Sequence, residues 1–126
     1  MNTVINTSHA PAPIGPYSQA VATGNLLFVS GQIPLHPQSG ELVMDSIEAQ
    51  TTQVMENIKA ILTKAGADFN HIVKSSIFLT NMGDFAKVNE VYGSYFTANF
   101  PARETIQVAA LPKNVNVEIS VIAALS

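Results

Sequence analysis

Residues 45–66, DSIEAQTTQVMENIKAILTKAG, lead through a short polar link into residues 72–79, IVKSSIFL. The first stretch predicts a helix. Asp45 or Ser46 can cap it, Ile47, Thr51, Val54, Ile58, Ile61 and Ala65 recur at helical spacing, and Gly66 supplies the stop. The second stretch, short and rich in β-branched residues, reads as a strand. A helix with one apolar stripe that hands over to a strand must lay that stripe on a sheet, and the fold class follows from this.

Working outward, Asp84 opens a second helix with Phe85, Val88, Val91, Tyr92 and Tyr95 on one side, which Pro101 is expected to end. Two strands follow it. Upstream, Thr3 to Asn6 is a candidate edge strand, and Ala10 to Pro16 reads as a Pro-rich loop. Tyr17 to Ala22 and Leu26 to Ser30 read as strands joined at Thr23-Gly24-Asn25. Leu26-Leu27-Phe28-Val29 is apolar on both faces, which calls for helices on one side of the sheet and another subunit on the other. The expected fold is α+β, one mixed sheet with two helices side by side on one face, in a single domain over residues 1–126.

The composition agrees with one compact domain: 126 residues, 47% hydrophobic, and 12% charged, about half the usual quarter. So small a domain has much surface to cover with so few charges, and an oligomer is expected. A net charge of -3 with six scattered Lys and Arg residues argues against a nucleic-acid footprint, which is a clustered basic patch. The absence of Cys excludes disulfides, thiolate nucleophiles and Cys-ligated metals. With no signal-peptide pattern at the start and no segment long enough to span a membrane, a soluble cytoplasmic protein is expected.

Chemistry concentrates near the C-terminus. Arg103 follows Phe100-Pro101-Ala102, and Glu118 lies inside the apolar run Val115 to Ala124. A guanidinium grips a carboxylate with two parallel hydrogen bonds and a glutamate orders or activates a water, so the pair suits a small carboxylic acid that reacts with water; the plain alternative is a structural ion pair or two solvated side chains. Alternation places Arg103, Thr105 and Gln107 in one polar row and Asn116, Glu118 and Ser120 in another, so that Arg103 and Glu118 could share a face. If the last two strands form a hairpin across Leu111-Pro112-Lys113-Asn114, Glu118 lies opposite Gln107 and on the order of 13 Å from Arg103. That is too far for an ion pair: either long side chains converge on a bound ligand or a neighbouring subunit completes the site, and the low charge content favours the latter. His9, His36 and His71 are far apart, without metal-ligand spacing, and nucleotide-binding loops and nucleophile elbows have no matching pattern.

Two N-terminal patterns, Pro13-Ile14-Gly15-Pro16-Tyr17-Ser18-Gln19-Ala20 and Phe28-Val29-Ser30-Gly31-Gln32-Ile33-Pro34, read singly as turn chemistry. Together with Asp84 to Tyr92, Phe100 to Arg103 and Val117 to Ala123 they are specific: from about residue 3 to about residue 124 the chain resembles the Rid (YjgF) family, most closely its RidA-type reactive intermediate deaminases. The resemblance implies a chorismate-mutase-like homotrimer with three sites in clefts between subunits. It also implies hydrolysis of 2-imino acids such as 2-iminopropanoate and 2-iminobutanoate to 2-oxo acids and ammonia, with no metal or organic cofactor. By motif position it assigns Arg103 to the substrate carboxylate and Glu118 to the attacking water. Tyr17, Ser30, Gly31 and Asn89 then line the cleft, and Thr105 sits beside the imine carbon where many relatives carry Cys. Glu104 departs from the small or hydroxylated residue common in relatives, and by alternation it points away from Arg103.

Overall fold

The computed structural model describes residues 2–125. Helix α1 runs over Ile47–Lys64. Ser46, in extended backbone, begins it by accepting a hydrogen bond from the Ala49 N–H at 3.0 Å, and Gly66, at φ +79°, turns the chain away. The expected stripe is the buried one: Ile47, Thr51, Val54, Ile58 and Ile61 all face the core, joined by Met55 and Leu62, while Ala65 is half-buried. Two polar residues on α1 are buried as well. Gln50 accepts from the Asn116 N–H, and Asn57 donates to the carbonyls of Ile33 and Leu35, tying two loops at one end of the sheet, after β3 and before β6, to the helix.

Six strands form one mixed sheet: β1 (Asn2–Ile5), β2 (Ala20–Thr23), β3 (Leu26–Gln32), β4 (Ile72–Leu79), β5 (Ala102–Gln107) and β6 (Val117–Ala124). Their spatial order is β1-β2-β3-β6-β4-β5, and every pairing is antiparallel except β4 with β5. Helix α2 (Phe85–Gly93) supplies the crossover that the parallel pair requires. Gly24, at φ +59°, makes the tight turn between β2 and β3.

The expected hairpin between the last two strands does not form. β6 inserts between β3 and β4, and β5 lies on the far side of β4, so Glu118 is opposite Phe78 rather than Gln107. β6 buries Val117, Ile119, Val121 and Ala123 on the face that the helices cover, and the strands on either side of it satisfy its backbone. The connection from β5 is too elaborate for a hairpin turn, with a 3-10 turn at Pro112–Asn114 in which Lys113 and Asn114 take positive φ. The second helix also differs, ending at Gly93, eight residues short of Pro101. The chain leaves it because Tyr95 and Phe96 pack on Phe69, at 5.1 and 5.6 Å between ring centroids. Nor does Asp84 cap it; Asn81 does so one 3-10 turn earlier, accepting from the Gly83 N–H. β2 begins three residues later than expected, leaving Tyr17 in the preceding loop.

Both helices cover one face of the sheet, over Leu27, Val29, Ile77, Leu79, Ile119 and Val121. The other face is uncovered in a single copy: Leu26, Phe28 and Ile106 are 36%, 43% and 44% exposed. No helix among the described residues is long and apolar enough to cross a membrane.

Candidate functional site

β3 departs from regular pairing where chemistry was expected. Val29 lies opposite Val121, but the next aligned pair is Gln32 with Ile119, so β3 spends three residues where β6 spends two. This bulge contains Ser30 and Gly31. It is fastened from the side: the Ser30 N–H donates to the Gln19 carbonyl at 2.9 Å and its hydroxyl to the Ser18 carbonyl at 2.6 Å. The Glu118 side chain folds over Gly31, and a Cβ on residue 31 would come within 2.8 Å of the Glu118 Cδ. Only glycine leaves room for that carboxylate. Ile14, Tyr17, Ser30, Gly31, Ile33 and Glu118 line a hollow of about 320 Å³ there, and burial raises the Glu118 carboxyl above its ordinary pKa.

Arg103 sits elsewhere. Asn89, Tyr92, Gly93, Phe100, Pro101 and Arg103 line a second hollow of about 340 Å³. The guanidinium carbon lies 5.3 Å from the Tyr92 ring centroid and 5.6 Å from that of Phe85, so two aromatic faces hold the cation. Tyr92 is itself fixed, donating its hydroxyl hydrogen to the buried Ser75 Oγ at 2.8 Å. Burial pushes that hydroxyl above its ordinary pKa, against the opposing pull of the Ser75 hydrogen bond and the Arg103 charge. Thr105, two residues along β5, has a buried Oγ1 with no hydrogen-bond partner.

Arg103 and Glu118 do not share a face. Arg103 is in register with Ser75, on the helix side, whereas Glu118 is in register with Phe78, on the open side. The reason is strand order. With β4 between them, the facing of each residue is set by its partner on β4, and those partners are an odd number of residues apart. Tyr17, Ser30, Gly31 and Glu118 therefore gather in one hollow, Asn89 and Arg103 in another, with Thr105 on the Arg103 side of the sheet. Glu104 points away from Arg103, as alternation requires, and is engaged there by the Ser76 hydroxyl at 2.7 Å and by Lys74 at 3.8 Å. Among the described residues no cluster of His, Asp and Glu could hold a metal ion.

Phe85, Tyr92 and Ser75 were not singled out as site residues from the sequence. Phe85 and Tyr92 read there as core positions of the second helix, although their spacing with Asn89, at 85, 89 and 92, marks one helical face. Ser75 carried no signal, because its importance lies in a contact 17 residues away.

Comparison with known proteins finds relatives of the same fold. Residues 7–125 match the family model described as endoribonuclease L-PSP. A RutC family protein of Pyrococcus horikoshii is 54% identical over 123 residues, covering 98% of each chain. The mouse protein named 2-iminobutanoate/2-iminopropanoate deaminase is 48% identical, over 95% of this chain and 89% of the relative. The crystal structure of E. coli TdcF with bound serine superposes with a TM-score of 0.94 at 45% identity, covering 98% of this chain and 99% of that one. Sequence and fold together place the chain in the Rid (YjgF) family, the family of the endoribonuclease L-PSP model.

Proposed function

We propose that the protein hydrolyses reactive 2-imino acids, such as 2-iminopropanoate and 2-iminobutanoate, to 2-oxo acids and ammonia, at sites formed where copies of the chain meet in a homotrimer. One observation carries the reading: the chain builds two separate hollows, one holding a clamped cation and the other a half-buried carboxylate with no ion-pair partner among the described residues, on opposite faces of one sheet. Neither hollow suffices alone. Relatives at about this identity bear the deaminase name.

In this scheme Arg103 of one copy binds the substrate carboxylate through two charge-assisted hydrogen bonds, held in place by Tyr92 and Phe85. Glu118 of the neighbouring copy receives a proton from water as the water oxygen attacks the electrophilic imine carbon. The carbinolamine formed then expels ammonia: Glu118 returns its proton to the nitrogen, the C–N bond breaks, and the carbinol O–H proton passes to the released ammonia as the oxygen becomes the 2-oxo group. Tyr17, Ser30, Gly31, Asn89 and Thr105 line the assembled cleft, where the buried Thr105 hydroxyl has a hydrogen bond to offer. Orientation supplies most of the acceleration, because a protonated imine is already reactive. The RNA-cleaving activity in the family model's description would require the same cleft to take phosphodiesters, which a net charge of -3 opposes.

The test is a coupled assay in which a pyridoxal-phosphate dehydratase generates the imines from serine or threonine and oxo-acid release is followed. The protein accelerates release, and Glu118→Ala abolishes the acceleration while still binding 2-oxobutanoate. Release unchanged by the wild-type protein would exclude the reading, and turnover retained by Glu118→Ala would remove Glu118 from it. If the wild type binds the oxo acid without turnover, the protein is a small-carboxylate binder.

A further inference from the structure

Remote from both hollows, a cleft of about 620 Å³ runs along the outer side of α1, larger than either. α1 contributes Gln53, Lys59 and Lys64, the N-terminal loop contributes His9, and the loop after β3 contributes His36 and Pro37. None of the residues assigned to imine chemistry lies in it.

Its walls are built and fixed. The buried Gln19 amide holds the N-terminal loop from below, donating to the carbonyls of Thr7, Ala10 and Pro11 at 3.0, 3.3 and 2.9 Å and accepting from the Thr7 N–H at 2.8 Å. The buried Asn57 amide does the same for the opposite wall, donating to Ile33 and Leu35 at 3.2 and 3.0 Å, and it accepts from Gln53 at 2.9 Å. His36 is oriented by its own loop: its Nδ1 accepts from the N–H groups of Gln38 and Ser39 at 3.2 and 3.3 Å. The neutral ring therefore carries its proton on Nε2, which makes it a donor toward whatever enters.

The charge balance selects the ligand. Lys59 and Lys64 present two cations, and among the described residues the ion pairs involve Lys74 and His71 instead. The one lining carboxylate, Glu56, is already engaged at 2.7 Å by the Tyr95 hydroxyl. Between these polar groups Pro37 and Ala60 give an apolar floor. We infer that this cleft is a second binding site, for a small organic anion whose carboxylate or phosphate head is taken by Lys59, Lys64 and His36 and whose compact apolar body rests on Pro37 and Ala60. A preformed pocket avoids the ordering cost that a loose surface lysine pair would impose.

The probes are phenyl phosphate and benzoate, with benzyl alcohol as the uncharged control, each titrated to millimolar concentration into the isotope-labelled full chain at neutral pH and low salt. Both anions shift the amide resonances of Gln38, Ser39 and residues 60–64 in a saturable way; whichever binds more tightly names the preferred head group. Benzyl alcohol binds about tenfold more weakly, and Lys59→Ala/Lys64→Ala weakens the anions by about the same factor, roughly one decade for the loss of charge assistance. Imine hydrolysis by that variant equals the wild type, and anion-dependent shifts at the Arg103 amide persist in it, since they report a different site. Silence at Gln38 and Ser39, equal binding of benzyl alcohol, or indifference to the lysine replacements would each overturn the assignment.

Discussion

At the scale of single residues, the tightest constraint is between Gly31 and Glu118. A methyl group at position 31 meets the carboxylate, so Gly31→Ala must displace Glu118 or the bulge itself. Overpacking of this kind costs about 1–3 kcal/mol, measurable by urea denaturation, and Gly31→Ala/Glu118→Ala regains most of the stability because the obstructing group is gone. Arg103→Lys keeps the charge and loses the planar fork; the chain stays folded, while kcat/KM for imine hydrolysis falls by roughly thirtyfold, equivalent to about 2 kcal/mol. The titration of Glu118 has a definite sign. Burial raises its pKa, so the folded chain holds this proton to higher pH than the unfolded one. Its stability contribution is fully present below the ordinary glutamate range and is lost as pH rises through the raised value. In kinetics the same shift moves the acid limb of kcat/KM above the ordinary carboxylate range; Glu118→Gln flattens the stability slope in that window, as urea denaturation across pH would show.

Elements depend on a few buried amides as much as on apolar packing. Gln19 makes four hydrogen bonds to the loop that carries Tyr17, and Gln19→Ala strands several of those backbone groups. The expected cost is about 1–3 kcal/mol, with faster hydrogen exchange confined to residues 7–17 while α1 keeps its protection. Such contacts explain what could be read from the sequence and what could not. The stripe Ile47 to Ile61 and the strand Ile72–Leu79 were legible because local periodicity fixes them. The end of α2 was not, since Tyr95 and Phe96 leave the helix for the ring of Phe69, which lies before β4 in the chain. Arg103 and Glu118 stood out by type. Their placement on opposite faces was hidden, because facing depends on which strand lies between them, and β6 finds its place only through pairing with β3 and β4.

For the whole molecule, the uncovered sheet face and the separation of Arg103 from Glu118 both support the proposed trimer with a divided site. Phe28, Leu26 and Ile106 leave apolar area in water, and burying each side chain against another copy contributes on the order of 1.5–3 kcal/mol. A divided site makes a specific demand on such a ring. Arg103→Ala and Glu118→Ala proteins, each inactive alone, recover activity when unfolded together and refolded as a mixture: an equimolar random ring restores roughly one quarter of the sites, each taking its intact Arg from one chain and its intact Glu from the next. Activity in the mixture no higher than in either parent would place both groups in one copy's site. The sheet that keeps the cation from the carboxylate then has a consequence for when the protein works at all. On the proposed reading, turnover fades more steeply than protein abundance below the concentration at which copies associate, so a freshly made, dilute chain is silent and activity sets in at a threshold of expression.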